Sequence, residues 1–337
     1  MLEPPLPEPT AEDALCDDTN LIPDERLRLI FICCHPSVAP DSRAALTLRL
    51  VCGLSTTEIA DAFLVPEPTL AQRLVRAKRK ITESGIPFDL PGPAAWPERM
   101  EAVLSTLEIA YAKAHQDASG TGPHAGYAAE MLTLTALLGE LVPGDARVAA
   151  FASLVRYAEG RRPARLDSDG AMTPLSEQDP ALWDRRMIAE GDMHFQRAVS
   201  IDPAGQSVLQ AALHRAWCAR TSRASPPPWP EVLAIYDALL KYRDDPIVRL
   251  NRAVALAEVA GPELAMREVD KLDAGLLAQF GPYHAVRADL LRRLSAPDQA
   301  IAAYNLALSL EPPPAEKLWL ERIRGTIRAV ATTRAES

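Results

Sequence analysis

Asp41 to Ile81 reads D-S-R-A-A-L-T-L-R-L-V-C-G-L-S-T-T-E-I-A-D-A-F-L-V-P-E-P-T-L-A-Q-R-L-V-R-A-K-R-K-I. Three helices fit this run. Asp41 is placed to cap the first, which ends at Gly53, a residue at home with positive φ. Ser55 and Glu58 form an S-x-x-E capping box that starts the second, with Ile59 and Phe63 as its buried side. Pro66 and Pro68 break the chain, and proline is well tolerated at the first position of the third helix, where the N–H needs no partner. The pattern is that of a helix-turn-helix.

The third helix divides by chemistry. At roughly 100° per residue, Leu70, Leu74, Ala77 and Ile81 fall within about 60° of one another and make a core stripe. Thr69, Gln72, Arg73, Arg76, Arg79 and Lys80 fall on the far side. Small or amide side chains near the N-terminus suit base edges, and the Arg and Lys that follow suit phosphates and guanines. A solvated charged helix is the plainer alternative. Agreement between the capping box, the turn and the one-sided wheel favours a face that meets DNA.

Working outward, the bulk numbers place this face in an acidic chain. The formal charge is −9 over 337 residues, which excludes a protein that coats nucleic acid along its length. Between Pro66 and Ile81, however, Arg73, Arg76, Lys78, Arg79 and Lys80 stand against Glu67 alone. Distant acidic groups are screened beyond about 8 Å at physiological salt, so this local field can still attract phosphates. The composition, 48% apolar and only 5% aromatic, points to helices packed through small side chains. Thirty prolines argue for many helices with punctuated ends. No secretory signal or membrane-spanning run is present. Five cysteines, an odd number, suggest free thiols in the cytoplasm.

The segment P-D-E-R-L-R-L-I-F-I-C-C-H-P (Pro23 to Pro36), together with the run above, resembles region 4 of extracytoplasmic-function (group IV) RNA polymerase sigma factors. The closest likeness is to the branch with a tetratricopeptide-like helical C-terminal extension. R-R-P-A-R-L-D-S-D-G, P-L-S-E-Q-D and W-D-R, between Arg161 and Arg185, resemble that extension. The resemblance implies that the third helix binds the −35 promoter element and that the surrounding surface meets the RNA polymerase core at its β-flap. Carried over by position, Thr69, Gln72, Arg73 and Arg76 face the −35 bases, with Arg79 and Lys80 on phosphates. Pro68 stands where Ala or Gly is expected in relatives and should stiffen the start of the helix. Around Ile109 to Gly120 the chain lacks a phenylalanine-asparagine-glutamate-glycine run common in relatives. Such proteins also open with a region 2 domain. Met1 to Pro23 is acidic and Pro-rich instead, resembles the linker between regions 2 and 4, and is not expected to fold. The sequence therefore reads either as N-terminally shortened or as acting without region 2.

The expected fold class is all-α: an acidic linker (1–23), the helix-turn-helix domain (24–88), a helical domain (89–225), tetratricopeptide-like repeats (226–330) and a short tail (331–337). The Pro/Gly-rich breaks Gly85-Ile86-Pro87-Phe88 and Pro91-Gly92-Pro93 mark the end of the DNA-binding domain. Beyond them, Met100, Val103, Leu104, Leu107 and Tyr111 keep helical spacing. Asp145 precedes Val148, Phe151, Leu154 and Val155. Asp179-Pro180 and Asp202-Pro203 each read as an N-cap followed by proline, opening helices that bury Trp183 and Leu209. Arg161 to Gln178 is the least helical part, and Arg162 or Arg165 is expected to hold a turn by pairing with its aspartates. Tyr236 and Tyr304 are 68 residues apart, two periods of a 34-residue helical repeat, with Ala265 to Leu272 near the middle position.

Metal and catalytic readings are weak. Cys33-Cys34-His35 lacks chelating spacing and a second pair, so buried small residues are the better account. Asp167, Asp169 and Gly170 do not match a calcium loop, because the glycine and the closing acid are misplaced. None of the six histidines completes a known motif, and Asp192 and His194, two apart on a helix, point to different faces. No enzyme activity and no cofactor are expected. The reading is a promoter-recognition subunit, or its region 4 plus extension, with the extension contacting and regulating the helix-turn-helix. The alternatives are a stand-alone helix-turn-helix regulator with a sensing domain, and a scaffold in which the repeats are the active part.

Overall fold

Many prolines are compatible with an all-helical chain because they stand where helices start. Pro40, Pro246, Pro262, Pro297 and Pro314 each occupy the first position of a helix, and Pro97, Pro230 and Pro282 the second. An N–H at these positions has no intrahelical acceptor, and the fixed φ of proline suits the first turn. The computed structural model describes residues 25–35, 38–50, 53–63, 65–83, 92, 96–116 and 127–335. Among them all regular structure is helical, apart from one antiparallel bridge between Leu166 and Met172. The expected linker over Met1 to Pro23, the break at Gly85 to Phe88, and Pro91 and Pro93 lie outside the described residues. No described helix is long and apolar enough to cross a membrane. Two compact units divide between Lys113 and Ala114.

The first unit holds α1 (Glu25–Cys33), α2 (Pro40–Leu50), α3 (Thr56–Ala62), α4 (Glu67–Glu83) and most of α5 (Trp96–Gln116). Its core takes Leu27, Ile30 and Phe31 from α1, Leu46 and Leu48 from α2, Ile59 from α3, and Leu70 and Leu74 from α4, all buried. Each such side chain contributes about 1.5–3 kcal/mol. The Phe31 and Trp96 rings lie 5.8 Å apart, and Arg99 Nη1 donates to the Phe31 carbonyl at 3.0 Å. On α5, Met100, Val103, Leu104, Leu107 and Tyr111 are all buried, as their spacing predicts.

Cys33 and Cys34 are buried free thiols, Cys34 with its Sγ 3.9 Å from Thr47 Oγ1. Burial pushes the Cys34 thiol up to about 12 and raises Cys33 as well. At neutral pH these are small apolar core residues and poor nucleophiles.

The second unit begins with α6 (Tyr127–Leu141), α7 (Ala146–Gly160), α8 (Arg185–Ile201) and α9 (Gln206–Cys218). Asp145 caps α7, accepting from the Arg147 N–H at 2.9 Å. Helices α7 and α8 approach closely through two glycines. A Cβ on Gly191 would sit 3.0 Å from the Tyr157 ring, and one on Gly160 2.9 Å from Ile188 Cγ1. Their shared core contains Tyr157, Trp183, Ile188, Phe195, Ala198 and Val208.

Three expectations in this part need correction. Asp179-Pro180 opens only a three-residue 3-10 turn that ends beside buried Trp183; α8 itself starts after Asp184, whose carboxylate accepts from the Met187 N–H at 3.0 Å. Asp202 closes α8 instead of opening α9: its N–H donates to the Ala198 carbonyl at 2.9 Å, and Pro203 then prevents continuation. Helix α9 starts three residues later than that reading places it, at Gln206, so Val208 is buried while Leu209 is half-exposed. The arginine that holds the turn at Asp167 and Asp169 is neither Arg162 nor Arg165. Arg162 pairs with Glu159 at 2.5 Å, and Arg165 donates to the His115 carbonyl at 2.5 Å. The turn is gripped instead by Arg322.

Arginines also bind the C-terminal end of α9, where carbonyls lack helical partners and the helix dipole favours cations. Arg161 donates to the His214 carbonyl at 3.0 Å and meets His214 Nδ1 at 2.9 Å, while Arg185 reaches the Cys218 and Arg220 carbonyls at 3.3 and 2.9 Å. Burial holds His214 well below its ordinary pKa. The ring is therefore neutral and can accept from the guanidinium.

The remainder is α10 (Trp229–Leu239), α11 (Pro246–Ala260), α12 (Pro262–Val269), α13 (Gly281–Arg293), α14 (Pro297–Ser309) and α15 (Pro314–Ala335). Taken alternately, the starts recur at Trp229, Pro262 and Pro297, and at Pro246, Gly281 and Pro314. Both intervals from first to third are 68 residues. Ion pairs or hydrogen bonds tie the helices of each pair: Arg252 to Asp237 at 2.5 Å, Arg287 to Asp270 at 2.6 Å, and Arg324 to Asn305 at 2.7 Å. Asp237 and Asn305 each follow the tyrosines, Tyr236 and Tyr304, that mark the repeat in sequence. Tyr304 is fully buried and Tyr236 half-buried.

Candidate nucleic-acid interface

The geometry of α4 is set by the turns that precede it. Gly53 has φ 67°, a left-handed conformation that favours glycine, and reverses the chain after α2. Arg49 Nη1 crosses that turn to the Leu54 carbonyl at 2.9 Å. The capping box is reciprocal: the Ser55 N–H donates to Glu58 Oε2 at 2.8 Å, and the Glu58 N–H to Ser55 Oγ at 3.1 Å. Two donors at the start of α3 are thereby satisfied. Replacing Ser55 with alanine is expected to cost about 1 kcal/mol, read as a lower denaturant midpoint for the first unit with an unchanged slope.

Two details differ from the sequence reading. Helix α2 begins at Pro40, with the Ser42 and Arg43 N–H groups donating to the Ala39 carbonyl, so Asp41 lies inside the first turn and is not the cap. Proline at the first position fixes the start two residues earlier than a cap at Asp41 would. Pro68 is the second residue of α4, whose first-turn N–H groups on Thr69 and Leu70 reach the Pro66 carbonyl at 2.9 and 3.2 Å.

On α4 the inward stripe is Leu70, Leu74 and Ala77, all buried. The side chain of Ile81 lies outside the described residues. The outward face presents Thr69, Gln72, Arg76, Arg79 and Lys80 as exposed residues, with Arg73 half-buried at its margin. Arg76 Nε lies 3.3 Å from the Gln72 carbonyl, and Arg79 pairs with Glu83 at 3.4 Å in the open. Exposed pairs of this kind are worth about 0–1 kcal/mol, so they leave the guanidinium available to a stronger partner. All six candidate DNA contacts thus lie on one helix.

Sequence reading passed over two features of this site. Thr57 Oγ1 donates to Glu67 Oε2 at 3.2 Å, linking the first turn of α3 to the first residue of α4. A glutamate at the first position of a basic helix, where the dipole favours an anion, is the signal that was there to find. Val75 is 66% exposed on the same side as Gln72 and Arg79, and helical spacing alone places it between the two stripes.

No group of three His, Cys, Asp or Glu among the described residues could hold a metal ion. Asp192 accepts from the Tyr157 hydroxyl at 2.6 Å, and burial pushes nearby His194 down to about 4.

Residues 28–81 match the family Sigma-70, region 4, and residues 99–199 match a Family of unknown function (DUF6596). A protein of Rhizobium meliloti (strain 1021), described as uncharacterized, is 34% identical over 314 residues, covering 93% of this chain and 74% of the relative.

Proposed function

We propose that this chain, which belongs to the same family as the Rhizobium meliloti protein and carries a sigma-70 region 4 domain, recognises a −35 promoter element through α4 and directs RNA polymerase to initiate there. A region 4 domain is a transcription-factor domain and not a catalytic one. The observation that carries the reading is the single exposed polar face of α4, set on a capped helix-turn-helix whose opposite face is buried.

In this reading Thr69, Gln72, Arg73 and Arg76 reach base edges in the major groove, and Arg79 and Lys80 neutralise phosphates. The surrounding surface of the first unit meets the polymerase core at its β-flap. The helical second unit regulates the first, as an extracytoplasmic-function sigma factor with a tetratricopeptide-like extension would. The recurring helix starts and the repeated Arg–Asp or Arg–Asn ties support that description of the extension.

The test is binding to duplexes that the full chain selects from fragmented genomic DNA of its source, followed by fluorescence anisotropy over a salt series. Log affinity is expected to fall linearly with log salt, by about 0.9 per phosphate neutralised. Replacing Lys80 with alanine should make that slope shallower by about 0.9 while leaving the ranking of sequences unchanged. No selection of any sequence over shuffled DNA would remove promoter recognition from the account.

A further inference from the structure

The second unit returns on itself where the Asp167–Met172 turn meets α15. The Asp167–Met172 turn is rigid in its own right. Asp167 Oδ1 accepts from the Asp169 and Ala171 N–H groups, both at 2.9 Å, and Gly170 has φ 80°. That arrangement leaves the other carboxylate oxygen to accept from Arg322 Nη1 at 2.6 Å, while Asp169 Oδ2 accepts from Nη2 of the same guanidinium at 3.2 Å. Alongside, the Met172 N–H donates at 2.9 Å to the carbonyl of Ala315, in the first turn of α15. Ala171 is fully buried and Ala315 nearly so.

Each side of this contact is fixed to a different part of the unit. The turn continues from Arg161 and Arg165, which are bonded to His214 and to the His115 carbonyl. Helix α15 is held by Leu320 and Ile327, packed with Ala303, Tyr304 and Ala307 of α14. From the turn to α15 the chain runs through the successive helices α8 to α14. The contact therefore ties the two ends of a helical array.

We propose that the Asp167–Met172 turn and α15 form a reversible clasp that sets the curvature of the helical array. Its polar grip lies in water: the Asp167, Asp169 and Arg322 side chains are 31, 75 and 49% exposed. Charge pairs in such surroundings are weak and screened by salt. The packing of α15 on α14 is apolar and does not depend on salt in this way. Release therefore separates the turn from α15 and lets α10 to α15 adjust their curvature as a body, without unfolding either anchor. The Arg322 guanidinium holds the Asp167 carboxyl below the usual carboxylate range, so the grip persists at neutral pH and salt is the lever that loosens it. Repeat arrays whose neighbours contact only neighbours change curvature through small rotations per repeat, and a clasp across the ends suppresses those rotations.

The test is hydrogen exchange on the full chain, at about 50 mM and about 500 mM salt, for the wild type and for Arg322→Ala. The expected result is exchange about tenfold faster at Met172 and its neighbours in the turn in Arg322→Ala, with α7 and α14 unchanged. The wild type at high salt should move in the same direction. Equal protection of the turn in all samples would overturn the clasp. So would an even rise in exchange over the whole unit, which would make Arg322 a general stability residue. If Arg322→Ala does not fold, the wild-type salt series decides by the same two readings.

Discussion

Reversing Arg73 and Arg76 together to glutamate is expected to weaken binding to the selected duplexes by more than about a hundredfold, with the fold retained. The size follows from what each side chain contributes. A well-placed bidentate contact to a base edge is worth about 1–3 kcal/mol of discrimination, and a negative charge at the same place adds repulsion from phosphates. Arg76 alone, changed to alanine, should cost about five- to hundredfold by the same figure. Arg76 is exposed and lies far from the Leu70–Leu74 stripe on the wheel, so its replacement leaves the core as it is. Circular dichroism and the denaturant midpoint of the first unit serve as the control, most of all for half-buried Arg73. Undiminished binding in the double variant, with the fold intact, would place the DNA contact elsewhere.

Replacing Arg161 with methionine is expected to destabilise the second unit by about 3 kcal/mol, seen as a lower denaturant midpoint. Arg161 is 5% exposed and is held at 3.0 Å by the His214 carbonyl, at 2.9 Å by His214 Nδ1 and at 3.1 Å by Cys218 Sγ. Methionine fills much of the volume and offers no donor. The end of α9 then keeps buried acceptors without partners, and each such group costs about 1–3 kcal/mol. Lysine should recover little, because one compact ammonium cannot repeat the divergent geometry of a guanidinium. A loss under about 1 kcal/mol would mean that water takes over these acceptors, and the arginine network would not be what holds the loop from Arg161 to Gln178 against α9.

What the sequence made legible was local. The Ser55–Glu58 box, Gly53 and the Leu70–Leu74–Ala77 stripe are set by residues three to four apart, and each is found where its spacing puts it. The 68-residue interval survives in the helix starts, because stacked helix pairs reuse one packing solution. Asp-Pro dipeptides were ambiguous for a physical reason. Aspartate can satisfy amides at the beginning of a helix, as Asp179 does for a short turn. Proline also follows helix ends because it cannot continue them, as at Asp202-Pro203. The Arg322 grip had no local signature at all, since 155 residues separate it from Asp167. Arg162 and Arg165 were nearer in sequence but already engaged by Glu159 and His115. Among the candidate contacts, helical periodicity was enough to place all six on α4, whereas the Thr57–Glu67 link needed the path of the chain through the turn.

The most direct test of promoter recognition is a hydroxyl-radical footprint on a selected genomic fragment, with the full chain added in the presence and absence of RNA polymerase core. The account predicts a single asymmetric protected segment upstream of the start site, strengthened by the core enzyme and lost in the Arg73/Arg76 reversal. Two protected half-sites related by a dyad, about one helical turn or a multiple of it apart and indifferent to polymerase, would contradict it and make the protein a dimeric helix-turn-helix regulator.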